Sequence, residues 1–249
     1  MSTGIIIQAR TGSSRLPQKM VIPFFDGMGI LEILLKRLKN NIDCKIIIAT
    51  TDNERDNIIE NVAIKNDCLC YRGSEDDVLL RFIEAAEFHN ISKIIRICAD
   101  NPFLDMRSLR ELINYSENRD EDYISFCTSD GTPTIKTHYG FWAEYVTLDT
   151  LKRVNSLTSE KLYHEHVTNY IYANKNIFST NFIQIPKWIE DKPIRLTLDT
   201  QEDLEMQQNI FKNVINNNLD INIEDVVNYL NSNTDYYLKM GAIITQNKK

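Results

Sequence analysis

An α/β fold with a mostly parallel sheet flanked by helices is what this sequence predicts. Three observations carry that prediction. Short apolar runs rich in Ile and Val alternate with longer segments whose apolar residues follow the 3.6-residue helical period. Breakers such as Gly12, Pro17 and Pro102 fall shortly after the apolar runs. The chain has 249 residues, 43% of them hydrophobic and 25% charged, enough to bury a sizeable core without staples.

Residues 4–9 read as a buried strand through Ile5, Ile6 and Ile7, and residues 10–19 as a loop containing Gly12, Ser13, Ser14 and Pro17. A helix follows over about 29–40, with Ile30, Ile33, Leu34 and Leu38 on one face. Next come a strand at 45–50, a helix near 54–66 and a short strand at 69–71. The helix near 76–89 has Val78, Leu79, Phe82, Ile83 and Ala86 at helical spacing. A strand at 93–98 ends before Asp100-Asn101-Pro102, and a helix at 107–117 leads to strands near 123–128 and 139–147, the second alternating less cleanly. Helices near 148–155 and 160–173, strands at 178–185 and 194–198, and a mainly helical remainder complete the chain. One domain over residues 1–249 is expected, with 129–190 as a small antiparallel excursion and ligands collecting at the C-terminal strand ends. A turn is expected at Asn216-Asn217-Asn218 and a loose tail over 246–249.

Composition removes several function classes. No run approaches the ~18 apolar residues of a membrane span, and the first residues lack the order of a signal peptide, so a cytoplasmic location is expected. Cys44, Cys68, Cys70, Cys98 and Cys127 form an odd set without a CxxC pair, which argues against a disulfide framework or a zinc knuckle. Lys and Arg total 28 against 35 Asp and Glu, and the net charge of −7 disfavours nucleic acid or anionic membrane as a partner. Any phosphate-bearing ligand must therefore meet a local basic cluster.

Such a cluster stands directly after the first strand. Arg10, Arg15 and Lys19 are the charged residues of that stretch, and no carboxylate precedes Asp26. Small residues Gly12, Ser13 and Ser14 let backbone N–H groups approach an anion, and three cations suit a nucleoside triphosphate. The plain alternative is a solvated surface loop. The segment lacks G-x-x-x-x-G-K-[ST], since one glycine precedes Lys19 and Met20 follows it, and it lacks G-x-G-x-x-G.

Two aspartates are expected at strand ends on the same rim, Asp100 after residues 93–98 and Asp199 after residues 194–198. Mg²⁺ is commonly held by one or two carboxylates plus substrate phosphates, so this pair opposite a cationic loop makes a metal–triphosphate site. Taken singly, Asp199 also reads as a helix N-cap and Asp100 as a turn residue. The two carboxylates and the loop together favour the site.

Several segments resemble a known family. Residues 8–19 (QARTGSSRLPQK), 72–79 (RGSEDDVL), 99–105 (ADNPFLD), 165–168 (EHVT) and 195–204 (RLTLDTQEDL) are similar, in order, to segments of SpsF-like cytidylyltransferases, related to CMP-Kdo synthetase. The resemblance implies a Rossmann-like GT-A type nucleotidyltransferase fold that uses CTP and Mg²⁺ to transfer CMP to a sugar, sugar-acid or phosphorylated acceptor. Pyrophosphate would be released, and the product would serve surface polysaccharide or glycoconjugate synthesis. By matched position, Arg10, Arg15 and Lys19 would hold the triphosphate, with Arg10, Lys19 and Asp100 catalytic. Ala9, Arg10, Gly73 and Ser74 would border the cytidine, while Asp100 and Asp199 match metal-binding aspartates. Glu144, Glu165 and His166 would lie on the acceptor side, a buried, hydrogen-bonded core pair being the plain alternative for Glu165 and His166, and a homodimer is suggested.

The chain also departs from that pattern. Gln18 stands where the family commonly has glycine between Pro and Lys, and Trp142 replaces the aspartate of a G-x-D-x-E segment at residues 140–144. These departures keep two other readings open: a GT-A glycosyltransferase that consumes a nucleotide-sugar, and a catalytically silent nucleotide-binding protein. His164 and His166 point in different directions on a helix and so do not share a metal ion. His89 and His138 are expected at the surface, and Trp142, Tyr145, Tyr163, Tyr170 and Tyr172 in the core, lining a sugar or at a dimer contact.

Overall fold

The computed structural model describes residues 2–216 and 219–246. Strand β1 (Thr3–Gln8) pairs in parallel with β4 (Lys45–Thr51) on one side and β6 (Lys93–Cys98) on the other. Between β1 and β4 the chain makes the hairpin β2 (Pro23–Phe25) and β3 (Met28–Gly29), then α1 (Ile30–Asn41). That hairpin is an addition to the expected elements. Its turn places Asp26 and Gly27 at φ 51° and 74°, which explains an Asp-Gly pair there.

Helix α2 (Asn57–Lys65), strand β5 (Leu69–Gly73), helix α3 (Val78–Phe88), helix α4 (Met106–Glu117) and strand β7 (Tyr123–Cys127) lie where the periodicities put them. Three expectations are corrected beyond this point. Only β8 (Glu144–Thr147) of the segment 139–147 is strand, because Gly140 adopts φ 73° against the Leu196 carbonyl, where a Cβ would stand 2.7 Å from the oxygen. Residues 160–173 form two helices, α6 (Lys161–Glu165) and α7 (Asn169–Ala173), with fully buried Val167 turning inward between them. Residues 194–198 are extended but join no ladder: Leu196 N donates to His138 O at 2.8 Å and Leu198 N to Asp100 O at 2.9 Å.

Helix α5 (Leu148–Leu157) follows β8; β9 (Thr180–Gln184), the short α8 (Lys187–Glu190), α9 (Gln201–Val214), α10 (Ile223–Ser232) and α11 (Asp235–Gln246) finish the described chain. Of the expected turn and tail, Asn217, Asn218 and residues 247–249 lie outside the described residues, and Gln246 closes α11.

Among the described residues seven strands make one sheet in the order β5-β4-β1-β6-β8-β7-β9, with β8 antiparallel to both neighbours. Within 129–190, β8 runs antiparallel to β6 and β7, which precede that stretch, while β9 runs parallel to β7. Alternating side chains divide the core between the two faces. Ile5 and Ile7 pack with α1, α4, α9 and α10, whereas Ile6 packs with α3 and α5. Strands buried on both faces in this way explain the near-continuous Ile runs of β1 and β4. The five cysteines are free thiols, and no helix among the described residues is long and apolar enough to cross a membrane.

Candidate active site

The chain leaves β1 into the basic loop, and the loop is tied down from the side. Buried Asp56 accepts from Thr11 N at 2.8 Å and from the hydroxyls of Thr11 and Thr51. Burial works to raise the Asp56 pKa, but these hydrogen bonds prevail and hold it below the ordinary carboxylate value. Within the loop Gln18 N donates to Thr11 O at 3.1 Å, closing a turn in which Gln18 sits at φ 57°. A left-handed backbone is one that glycine adopts without steric cost.

The loop ends on Lys19, whose ammonium joins the two aspartates. Its Nζ donates to Asp100 Oδ2 at 2.8 Å, to Leu198 O at 2.7 Å and to Asp199 Oδ1 at 3.2 Å. Asp100 arrives from the end of β6, as expected. Asp199 arrives on the extended segment rather than on a strand, and the helix cap falls to Thr200, which forms a capping box with Asp203. Burial disfavours the charge on Lys19, yet Asp100 and Asp199 outweigh it and raise the pKa above the ordinary lysine value. Asp199 is likewise held below its ordinary value: burial opposes ionisation, and Lys19, Arg15 and Arg195 overcome it.

Two adjoining clefts open beside this cluster. The smaller, about 240 Å³, is lined by Gly12, Ser13, Ser14, Arg15 and Lys19. The larger, about 560 Å³, runs past Asp199 to Lys136, Trp142, His166 and Tyr172. Both share Gln8, Arg10, Arg15, Cys98 and Asp100, so one ligand can span them. Their size is that of a small-molecule site.

The structure gathers the expected residues unevenly. Arg10, Gly12, Ser13, Ser14, Arg15, Lys19, Asp100, Asp199, Glu165 and His166 all face this space, with Arg10 Nη2 at 4.0 Å from Glu165 Oε1. Ala9 is buried in the core just after β1, and Gly73 at the end of β5 and Ser74 after it line neither cleft. Glu144 is 2% exposed and does not line the cleft. It lies beneath the floor, accepting from Arg96 Nη1, from Tyr123 OH and from Thr168 Oγ1 at 3.1 Å. Its place is under the two cleft residues Arg96 and Thr168, which it orients.

Of the five aromatic residues, Trp142 and Tyr172 line the cleft, Tyr145 is fully buried, and Tyr163 stacks edge-on against Tyr170 at 4.9 Å. His89 and His138 are half-buried rather than surface residues, because His138 Nδ1 meets Arg195 Nη1 at 2.8 Å and His89 is packed at the end of α3. His164 turns away from His166 and pairs with Asp77 and Thr158 O, so the two histidines hold no common ion.

Among the described residues no group of three or more His, Cys, Asp or Glu gathers that could hold a metal. The donor set at the cleft junction is the carboxylate pair Asp100 and Asp199. It suits a hard cation whose remaining ligands are waters and phosphate oxygens, the ordinary mode for Mg²⁺.

Sequence reasoning missed the supports of this site. Asp56, Arg96 and His164 carry no motif signal, and their partners lie 45, 48 and 87 residues away. Arg195, which opens the 195–204 segment, is a further support: its guanidinium meets Asp203 at 2.9 Å through both Nε and Nη2.

With this geometry in place, comparison with known proteins adds three relatives and a family profile. The cytidylyltransferase profile matches residues 4–239. An uncharacterized protein of Methanocaldococcus jannaschii is 35% identical over 229 residues, 92% of this chain and 90% of that one. The spore coat polysaccharide biosynthesis protein SpsF of Bacillus subtilis is 32% identical over 236 residues, covering 92% and 94%. A solved cytidylyltransferase structure from Leptospira borgpetersenii superposes with a TM-score of 0.83 at 29% identity, covering 95% of this chain and 97% of that one.

Proposed function

The chain is a nucleotidyltransferase of the cytidylyltransferase family, and from that premise we propose that it transfers CMP from CTP to a small anionic acceptor, releasing pyrophosphate. The acceptor class is a sugar acid or a phosphate ester, and the product feeds surface polysaccharide or glycoconjugate synthesis. The observation that carries this reading is the meeting of Lys19, Asp100 and Asp199 at the junction of the two clefts, beside Arg10 and Arg15.

In the reaction an acceptor oxygen forms a bond to the α-phosphorus while the bond from that phosphorus to the bridging oxygen of pyrophosphate breaks. Catalysis of this transfer rests on alignment and on neutralising charge on the equatorial and leaving oxygens. Arg10, Arg15 and Lys19 supply that positive charge, and the backbone of residues 12–14 cradles the phosphates. The cytidine lies beside Arg10, the one of its four expected neighbours that lines the clefts. The acceptor takes the larger cleft, against Glu165 and His166, with Glu144 acting from beneath through Arg96 and Thr168. Residues 129–190 thus form the acceptor side of a single domain. Asp100 and Asp199 would hold Mg²⁺, which when bound polarises the α-phosphate and lowers the pKa of a coordinated hydroxyl.

Incubation with each nucleoside triphosphate, Mg²⁺ and a panel of acceptors tests the proposal. The panel contains a 3-deoxy-ulosonic acid, a nonulosonic acid, a sugar phosphate, a polyol phosphate and a phosphonate. Pyrophosphate is expected with CTP in preference to the other nucleotides. Release with UTP or ATP alone rejects the cytidine assignment and leaves the reaction class. Turnover of a nucleotide-sugar without pyrophosphate identifies a glycosyltransferase, and CTP binding without any product identifies a silent binding protein.

A further inference from the structure

Helix α6 carries the acceptor wall, and polar and ring contacts rather than a buried face hold it in place. It is five residues long and none of them is buried. A helix this short has no stability of its own, and burial of an apolar face does not supply it. Its side-chain attachments include the ring contact of Tyr163 with Tyr170, the approach of Glu165 to Arg10 at its exposed end, and the side chain of His164 on the N-cap of α3.

His164 Nδ1 lies 2.7 Å from Asp77 Oδ2, and its Nε2 lies 2.9 Å from Thr158 O. An ionised carboxylate and a carbonyl both accept hydrogen bonds and donate none. A neutral imidazole has one N–H and serves one of them, whereas the imidazolium serves both. The two contacts therefore select the protonated ring. Burial alone would lower the basicity of His164, but the Thr158 carbonyl and Asp77 outweigh it and raise the pKa above the ordinary histidine value.

The clasp joins two parts of the site. Asp77 is the N-cap of α3, accepting from Leu80 N at 2.8 Å through its other oxygen, and Arg81 one turn on donates to Ser74 O. On the other side Glu165 and His166 follow His164 directly and line the cleft. Asp77 is the charged group of α3 that meets the ring. Of the others nearby, Asp76 is exposed, Arg81 faces Ser74, Glu84 meets Tyr71, Glu165 approaches Arg10, and Glu160 and Lys161 are exposed.

We propose that His164, as an imidazolium clasped between Asp77 and Thr158, is a positioning residue for the acceptor: it fastens Glu165 and His166 to the start of α3, and the wall loosens when the ring loses its proton. This rests on the acceptor-side reading of Glu165 and His166.

Hydrogen exchange of the amides of residues 161–168 tests the clasp without any substrate. Between about pH 5.5 and about pH 8.5, a range spanning the ordinary histidine titration, wild-type protection corrected for intrinsic rates should fall roughly tenfold as the charged bond is lost. In H164Q protection should be low and independent of pH. H164R, which keeps two donors and a permanent charge, should stay protected throughout. Protection in the wild type that ignores pH, or H164Q matching the wild type, overturns the proposal. In pyrophosphate release from CTP with whichever of the five panel acceptors turns over, H164Q should raise the acceptor KM roughly tenfold while kcat and the CTP KM change less than about twofold. An equal rise in both KM values also overturns it. Absence of turnover with every acceptor sinks the functional reading instead, and the exchange result still decides the clasp.

Discussion

Arg195 and Lys19 hold the two oxygens of Asp199 separately: Arg195 Nη2 donates to Oδ2 at 3.1 Å, and Lys19 Nζ to Oδ1 at 3.2 Å. The guanidinium also serves Asp203, whose carboxylate is fully buried. Asp199 is thus aimed by a buried residue that touches neither cleft.

Replacing that support should be costly. Arg195→Met strands the buried Asp203 carboxylate without a counter-charge, and such losses amount to about 3–5 kcal/mol. Urea denaturation of wild type and variant measures it, and a difference under about 1 kcal/mol would remove Arg195 from this role.

Asp100→Asn and Asp199→Asn should each lower the rate of pyrophosphate release by about 10²–10³, the usual range for one aimed electrostatic group. Lys19→Met should do the same and also weaken CTP binding. Circular dichroism guards against unfolding as the cause. Near-wild-type turnover in either aspartate variant excludes that carboxylate from the site.

Gln18 occupies φ 57° with an exposed side chain, so its identity matters through the backbone. The left-handed conformation costs ~1–2 kcal/mol for a residue with a Cβ. Glycine escapes that cost but loses ~0.5–1 kcal/mol of chain entropy. Gln18→Gly should therefore stabilise slightly, and β-branched Gln18→Val should destabilise. Thermal melts check the order, and Val at or above Gly would show that the loop is not strained.

The acid side of the stability profile follows from Asp56 and Asp199. Both have folded-state pKa values below the ordinary 3.8, so each contributes stability that is present above that value and lost as pH falls through the lowered one. The urea midpoint should drop on acidification below about pH 4, and Asp56→Asn should flatten the drop. An unchanged acid limb in the variant would mean that the Thr11 and Thr51 bonds add nothing.

Much of this architecture was readable in the chain because it is local. Ile5 to Ile7, Ile46 to Ile48 and Ile94 to Ile95 announce strands buried on both faces, and α1, α3 and α4 repeat at the helical period. The Asp26-Gly27 hairpin is local too, since an Asp-Gly pair at positive φ is a turn signal. The segments around Tyr139 and Leu196 misled because extended backbone looks the same whether or not a ladder accepts it, and here Gly140 packs against Leu196 instead. The 160–173 stretch broke because Val167 and Thr168 turn into the interior.

The sequence by itself determined the sheet core, the cationic loop after the first strand and the identity of the two aspartates, since each is a property of residues adjacent along the chain. Tertiary structure decided which groups hold those side chains. Asp56 under the loop, Arg195 behind Asp199, Glu144 beneath Arg96 and His164 on Asp77 are all polar or charged contacts brought together by the packing of distant segments. Such pairs leave no period or motif, because a carboxylate is satisfied by any donor that the fold delivers to it, whatever its place in the sequence.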